Sequence, residues 1–310
     1  MKGGAWELAD IPDQAGRTAL VTGTTLGGLG HHTALELVRR GARVVLAGRA
    51  PERLSETSAT IRSEIPAAEL ELMEVDLADL GSVRRAAAAA TAYGPLDLLV
   101  NNAGVMGTPR TVTPDGLDLQ LATNHFGPFL LTGLLLPQLL GSKDGRVVTV
   151  SSNMHRVARH APLGDPHRHR GRYATWQVYG QSKLANLLFT YELDRRARAK
   201  ELPLRALAAH PGFAGTHLAA NGHYGRSRGG LATILDATVK ALSQSAARGA
   251  WPVLMAATAE LPGATYVGPG SLGEMHGAPQ VVTSTRLSND EDAQRRLWGL
   301  SEKVTGISYP

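Results

Sequence analysis

The chain has 310 residues, 43% of them apolar, enough for one large α/β domain with a sizeable core. Cysteine is absent, which excludes disulfides and thiolate chemistry and suggests a reducing, cytoplasmic setting. The net charge of +5 suits an anionic cofactor; the basic residues are scattered apart from a His/Arg cluster from His155 to Arg172, so no nucleic-acid partner is expected.

The first residues, Met1 to Gln14, are polar and carry Asp10, Pro12 and Asp13, unlike a signal peptide. The greasiest stretch, Phe129 to Leu140, is broken by Thr132, Gly133 and Pro137 and falls short of the roughly 20 residues a bilayer requires. A soluble protein without a membrane partner is the expectation.

Arg17 to Thr22 is an apolar, β-branched run that stops at Gly23. After a glycine-rich turn, an amphipathic pattern runs from His31 to Arg40, which predicts strand, turn and helix. Gly41 ends that helix, and Arg43 to Ala47 is a second strand, apolar as in a parallel sheet covered on both faces. The alternation continues with a helix over Pro51 to Glu64, a strand at Leu70 to Val75, a helix from Asp79 through Ala90, and a strand at Leu96 to Val100. A long helix from about Asp115 to Leu140 leads to a strand at Arg146 to Ser151, and a helix carrying Tyr179 leads to a strand at Leu204 to Ala209. This βαβ repetition predicts an α/β fold, a single Rossmann-type doubly wound parallel sheet flanked by helices on both faces.

An apolar helix around Ala246 to Ala257, a short strand at Ala264 to Val267, a Gly/Pro-rich turn and a charged helix from about Asp290 to Val304 follow. One domain is expected over residues 1–310, with residues 1–15 as an N-terminal arm. Residues 153–175 and 212–230 lack a clean period and are expected to form loops on the substrate side.

The stretch Thr22-Gly23-Thr24-Thr25-Leu26-Gly27-Gly28-Leu29-Gly30 lies between the first strand and the first helix. Glycines there let the backbone approach a pyrophosphate, and free amides at the helix N-terminus hold its charge. The second strand ends in Gly48 and Arg49, where a fold preferring NAD carries an acid for the ribose hydroxyls. A guanidinium can instead grip a 2′-phosphate with two parallel hydrogen bonds, so NADP(H) is the expected cofactor. Tyr179 and Lys183 stand four apart on a helix and share a face, and an ammonium beside a phenol lowers a pKa that starts near ~10. No metal is expected, since His167 and His169 have no further ligand at a recognisable spacing.

With Asp76-Leu77, Asn101-Asn102-Ala103-Gly104, Asn124, Ser151-Ser152 and Pro211-Gly212 through Thr216, these motifs resemble the short-chain dehydrogenase/reductase family, and more closely its retinol-dehydrogenase-like branch. The likeness runs from about Ile11 to the terminal helix. It implies cofactor contacts from Gly23, Thr25, Leu26, Gly28 and Leu29 in the turn, from Asp76 and Leu77 beside the adenine, from Asn102, Ala103 and Gly104 on the adenosine ribose side, and from Pro211, Gly212 and Thr216 over the nicotinamide. The resemblance also implies four catalytic residues: Tyr179 as general acid or base, Lys183 depressing the phenol's pKa and holding the ribose, Ser152 directing the carbonyl oxygen, and Asn124 anchoring a water linked to Lys183. The glycine turn is one residue longer than the family's usual turn, so it must bulge, and the choice between Gly27 and Gly28 stays open. The long interval from Ser152 to Tyr179 suits the insertion of the retinol-dehydrogenase-like branch.

The activity implied is NADP(H)-dependent hydride transfer between a small apolar ketone or aldehyde and its alcohol. Phe213, Leu218 and Tyr224, with Trp176, are expected to line an apolar pocket. A non-catalytic NADP-sensing protein is a rival that has no use for the proton relay, and an enone reductase or epimerase is a rival on the same fold. The two long helices permit a homo-oligomer without requiring one.

Overall fold

The alternating apolar segments form one sheet in the computed structural model, which describes residues 4–160, 173–212 and 245–310. Its strands are β1 (Thr18–Thr22), β2 (Arg43–Gly48), β3 (Leu70–Glu74), β4 (Leu98–Asn101), β5 (Gly145–Val150), β6 (Leu204–Ala209), β7 (Tyr266–Ser271) and β8 (His276–Val281). They lie in the order β3-β2-β1-β4-β5-β6-β7-β8, all parallel except the β7–β8 pair. The order reverses between β1 and β4. That switch point opens a crevice at the carboxyl ends of the strands, where a doubly wound sheet takes its ligand.

Successive residues of each strand point to opposite faces, and both faces are buried. Leu20, Val45, Leu99, Val147 and Ala206 pack under α3 (Leu80–Ala90), α5 (Gly127–Leu140) and α6 (Thr175–Ala199). On the other face, Val21, Val44, Leu46, Val100, Val148 and Leu207 pack under α1 (Leu29–Arg39), α2 (Pro51–Glu64) and α8 (Trp251–Thr258).

Four details depart from the sequence expectation. The long helix begins at α4 (Leu119–Leu121) rather than near Asp115, because the Asp118 carboxylate caps it by accepting from the Gln120 and Leu121 amides. A π turn, Ala122–Phe126, joins α4 to α5. The apolar stretch after residue 245 is two pieces, α7 (Ala246–Gly249) and α8, parted where Pro252 opens the second helix. The Gly/Pro-rich stretch expected to be a turn contains much of a hairpin: Gly268, Pro269, Gly270, Gly277 and Pro279 all lie in β7 or β8. Proline is tolerated there because this hairpin is the edge of the sheet.

The terminal helix, α9 (Glu291–Thr305), lies against α5 and α6. Trp298 stacks on Phe189 with ring centroids 5.9 Å apart and meets Phe129 edge-on at 5.1 Å, while the Tyr309 hydroxyl donates to the Phe129 carbonyl at 3.0 Å. The chain itself thus covers part of α5 and α6, the helices that permit a homo-oligomer without requiring one. Among the described residues no helix is long and apolar enough to cross a membrane.

Candidate active site

The glycine-rich turn settles how the extra residue is accommodated. The Gly28 amide donates to the Thr25 carbonyl at 3.0 Å, and Gly27, third in that four-residue turn, has φ +75°. This is the position at which a type II turn needs a positive φ, so Gly27 takes the bulge and Gly28 becomes the N-cap of α1. Gly28 has no side chain to cap the first helical amides, which leaves the N-terminus of α1 suited to an anion. A Cβ on Gly30 would lie 2.5 Å from the Gly23 carbonyl oxygen, so the helix packs on the strand end only because residue 30 is glycine.

The end of β4 is latched to the end of β1. Thr22 Oγ1 accepts from both the Asn102 and Ala103 amides at 3.0 Å, and Asn102 Nδ2 donates to the Thr22 carbonyl at 2.7 Å. Asp76, just past β3, accepts from the Ala78 amide at 2.9 Å, and the Leu77 carbonyl lies against Gly127 closely enough to forbid a side chain there. Arg49 follows β2 as an exposed residue, with no ion pair or hydrogen bond among the described residues. All these positions lie along the carboxyl edge. Thr216, Phe213, Leu218, Tyr224, His167 and His169 lie outside the described residues.

Ser152, Tyr179, Lys183 and Asn124 gather around the ends of β4 and β5. Tyr179 and Lys183 are 4% and 3% exposed, and Lys183 Nζ stands 5.7 Å from the centre of the Tyr179 ring. Nζ donates to the Val150 carbonyl at 3.0 Å. Burial pulls its pKa down to about 8. Burial also pushes the Tyr179 phenol up to about 12, a shift that a hydrogen bond with Ser152 partly offsets. The expected lowering of the phenol by Lys183 is therefore not what governs this site: desolvation penalises both charged forms and wins.

The two serines diverge as alternation requires. Ser151 Oγ donates to the Lys183 carbonyl at 2.8 Å, bracing α6, whereas the Ser152 hydroxyl is the one that meets Tyr179. Asn124 sits in the π turn, a kind of interruption that recurs at functional sites. Its Oδ1 accepts from the Val105 amide at 2.8 Å, and its Nδ2 donates to Ser182 Oγ and to the Val105 carbonyl, both at 2.9 Å. A Cβ on Gly104 would lie 3.0 Å from Asn124 Oδ1 and 3.5 Å from Lys183 Nζ, so glycine leaves a small cradle between the two.

Three supporting residues take roles that the sequence does not announce; one of them, His210, flanks Pro211-Gly212 and reads in the sequence only as a candidate substrate contact. Gln120 ties the loop after β4 to the entry of α6, accepting from the Gly107 amide at 3.1 Å and donating to the Thr175 carbonyl at 3.2 Å. His155 is fully buried, and burial pushes its pKa down to about 4. Its Nε2 accepts from the Thr285 amide at 3.3 Å, which puts the ring proton on Nδ1, 2.7 Å from the Ser152 carbonyl. His210 is the third. Trp176 meets Tyr179 edge-on at 6.4 Å and lies over Gly107, where a Cβ would come within 3.2 Å of the indole.

A family model described as short chain dehydrogenase matches residues 17–163. Human retinol dehydrogenase 13 is 37% identical over 306 residues, covering 97% of this chain and 87% of that protein. The chain belongs to the short-chain dehydrogenase/reductase family. Within it, the retinol dehydrogenase relatives place it in the retinol-dehydrogenase-like branch. The crystal structure of an uncharacterized Mycobacterium paratuberculosis protein matches with 42% identity and a TM-score of 0.81 over 99% of this chain and all of that one. A short-chain dehydrogenase from Shigella flexneri, complexed with NADP, matches with 27% identity and a TM-score of 0.55 over 69% of this chain and 85% of that one. Short-chain dehydrogenases/reductases use a nicotinamide cofactor, and membership supports an oxidoreductase acting on CH–OH or C=O groups.

Proposed function

We propose that this short-chain dehydrogenase/reductase interconverts an apolar ketone or aldehyde and its alcohol with NADP(H), Tyr179 serving as the general acid and base. The observation that carries the reading is the convergence of the Tyr179 phenol, the Ser152 hydroxyl and the Lys183 ammonium at the carboxyl ends of β4 and β5. The uncapped amides of α1 and the Gly104 cradle suit a dinucleotide, and the tight packing of Gly23 and Gly30 against each other, Asn102 and Ala103 fixes the turn that presents those amides. The exposed Arg49 suits its 2′-phosphate, and a relative complexed with NADP favours the same cofactor. When bound, the dinucleotide supplies or takes the hydride.

The chain's own residues then manage the proton. With its pKa near 12, the Tyr179 phenol is protonated at neutral pH and is a ready donor to a carbonyl oxygen. Ser152 offers a second hydrogen bond that fixes the oxygen's direction. Lys183, with a pKa near 8, is largely charged at neutral pH and favours proton loss from the phenol. Asn124 and the Lys183 amine both lie beside Gly104, and a water bridging them would return the proton to solvent.

The half-exposed Trp176 beside Tyr179, and relatives named for retinol, favour a lipophilic substrate over a charged oxo acid. The same reading keeps the cytoplasmic location, which fractionation of the producing cells tests. Steady-state assays with retinal, decanal, pyruvate and an enone, using NADPH and NADH, test the whole. Tyr179→Phe should lose about 100- to 10,000-fold in kcat with an unchanged thermal midpoint. Full activity in that variant would sink the mechanism, and a preference for pyruvate would sink the substrate class.

A further inference from the structure

The segment after β6, His210-Pro211-Gly212, is held by the tip of the β7–β8 hairpin. His210 is fully buried, and its ring fits only because residue 268 on β7 is glycine, since a Cβ there would overlap the imidazole. The Gly212 amide donates to His210 Nδ1 at 3.2 Å. Burial, with His155 and Arg156 adding to it, pushes the ring's pKa down to about 3, so the imidazole is neutral and its one proton sits on Nε2. That nitrogen stands 3.2 Å from Glu274 Oε2, and among the described residues neither atom makes a hydrogen bond. The two atoms are close without being aligned as a hydrogen bond, and a small turn of either side chain joins a buried donor to a buried acceptor that are costly to leave unmatched.

Glu274 is held in a backbone conformation that suits it poorly. Its φ is +65°, and Leu272 and Gly273 beside it have φ of +50° and +64°. Left-handed backbone at a residue with a Cβ persists only where its surroundings over-determine it, and such residues cluster at functional sites. Here Glu274 Oε1 accepts from Arg156 at 3.1 Å, and the Glu274 carbonyl accepts from Asn153 Nδ2 at 3.2 Å. A Cβ on Gly212 would lie 2.5 Å from the Met275 carbonyl oxygen, so the hairpin tip and the segment after β6 touch through their backbones.

Two segments thus converge on one residue, Arg156 and His210 at its carboxylate and Asn153 at its backbone carbonyl: Asn153 and Arg156 lie within four residues after Ser152, and His210 directly precedes Pro211 and Gly212. We propose that Glu274 is a positioning residue that clamps the Ser152 loop and the Pro211–Gly212 segment to the hairpin tip, acting through His210 and Arg156, and so keeps the two walls of the reaction site in register. The consequence for turnover rests on the oxidoreductase reading above. The clamp itself does not.

Three variants, Glu274→Leu, Glu274→Gln and Arg156→Met, test it in the full chain, with NADPH and retinal as probes. Glu274→Leu should lower kcat by about tenfold or more, because small misplacements of reacting groups are costly. NADPH affinity, read by fluorescence, should stay within about threefold because the adenine end is untouched. Glu274→Gln, whose amide oxygen can take the same place beside His210 Nε2, should recover most of that rate. A purely structural role would not produce this ordering at equal thermal midpoints. Hydrogen exchange at the Gly212 and His155 amides should speed up in Glu274→Leu while exchange in β1 and β4 stays the same. If Glu274→Leu does not fold, Arg156→Met loosens the clamp from its solvent side and should lower kcat about threefold.

Unchanged exchange at Gly212 in the folded variants would overturn the clamp whatever the chain's reaction. Gln no better than Leu would overturn the role of His210. If the wild-type protein neither binds NADPH nor reduces any carbonyl, the oxidoreductase reading fails, and the exchange data alone decide the clamp.

Discussion

A buried cation stands at each end of β5, and the two do different work. At the amino end, Arg146 is 1% exposed and donates from Nη1 to the Ala256 and Ala259 carbonyls at 3.2 and 2.9 Å, tying up acceptors at the C-terminal end of α8. Burial pulls its pKa down to about 10, which leaves it charged at neutral pH. At the carboxyl end, Lys183 donates to the Val150 carbonyl, and burial brings it to about 8. The guanidinium cannot be emptied under ordinary conditions, whereas the ammonium can. The lysine stands 5.7 Å from the centre of the Tyr179 ring, the proposed acid and base, whereas the arginine faces backbone carbonyls and, at 3.7 Å, the Asp144 carboxylate. Burying a cation is therefore no mark of chemistry by itself; the mark is a titratable cation beside a group that needs its charge.

Replacing each cation with methionine should separate the two roles. Lys183→Met should lower kcat/KM about a hundredfold, some ~2.7 kcal/mol in the barrier, with a thermal midpoint unchanged or higher because a desolvated charge has been removed. Arg146→Met should do the reverse. It leaves the Ala256 and Ala259 carbonyls without their donor, which costs about 1–3 kcal/mol of stability, while kcat stays within about twofold. Paired denaturation and kinetic measurements check both, and a comparable loss of activity in the two variants would erase the distinction.

The pH dependence sharpens the same contrast. Lys183 has a folded pKa of about 8 against an ordinary value of 10.5, so it discharges as pH rises through 8. If its charge supports the reaction, kcat/KM for carbonyl reduction, which reports the free enzyme, should be flat below that point and fall about tenfold per unit above it. Tyr179 near 12 contributes no break in this range. Lys183→Arg, which cannot discharge, should lack the break even if its overall rate is lower. A break that survives in Lys183→Arg would assign it to another group.

Much of this arrangement was legible in the residues. The repeating apolar runs gave the parallel sheet, Tyr179 and Lys183 share a helix face and the serine pair ends a strand, while Asn124 and the choice of Ser152 over Ser151 came from the family resemblance. What could not be seen depended on distance or on burial. His210 and Glu274 stand 64 residues apart in the chain and meet only in space, so no spacing announces them. The hairpin itself was hidden because Gly268, Pro269, Gly277 and Pro279 carry turn signals that an edge strand overrides. The direction of the Tyr179 shift was missed for another reason: spacing reveals a neighbouring charge but not the loss of water around it.

Arg49 completes the comparison as a cation that is neither buried nor paired among the described residues. It holds no helix end and faces no phenol, so folding gives little reason for its position at the end of β2, on the carboxyl edge. A ligand phosphate would. A hydrogen-bonded charge pair contributes about 1.5–3 kcal/mol, so Arg49→Ala should cut the preference for NADPH over NADH in kcat/KM by about tenfold or more. Removing an exposed, unpaired side chain should leave the thermal midpoint where it was. The loss should appear mainly in the KM for NADPH, since an interaction made equally in ground and transition states lowers KM without raising kcat. An unchanged cofactor ratio would strip Arg49 of that role and return it to the solvated surface, while leaving the contrast between Arg146 and Lys183 intact.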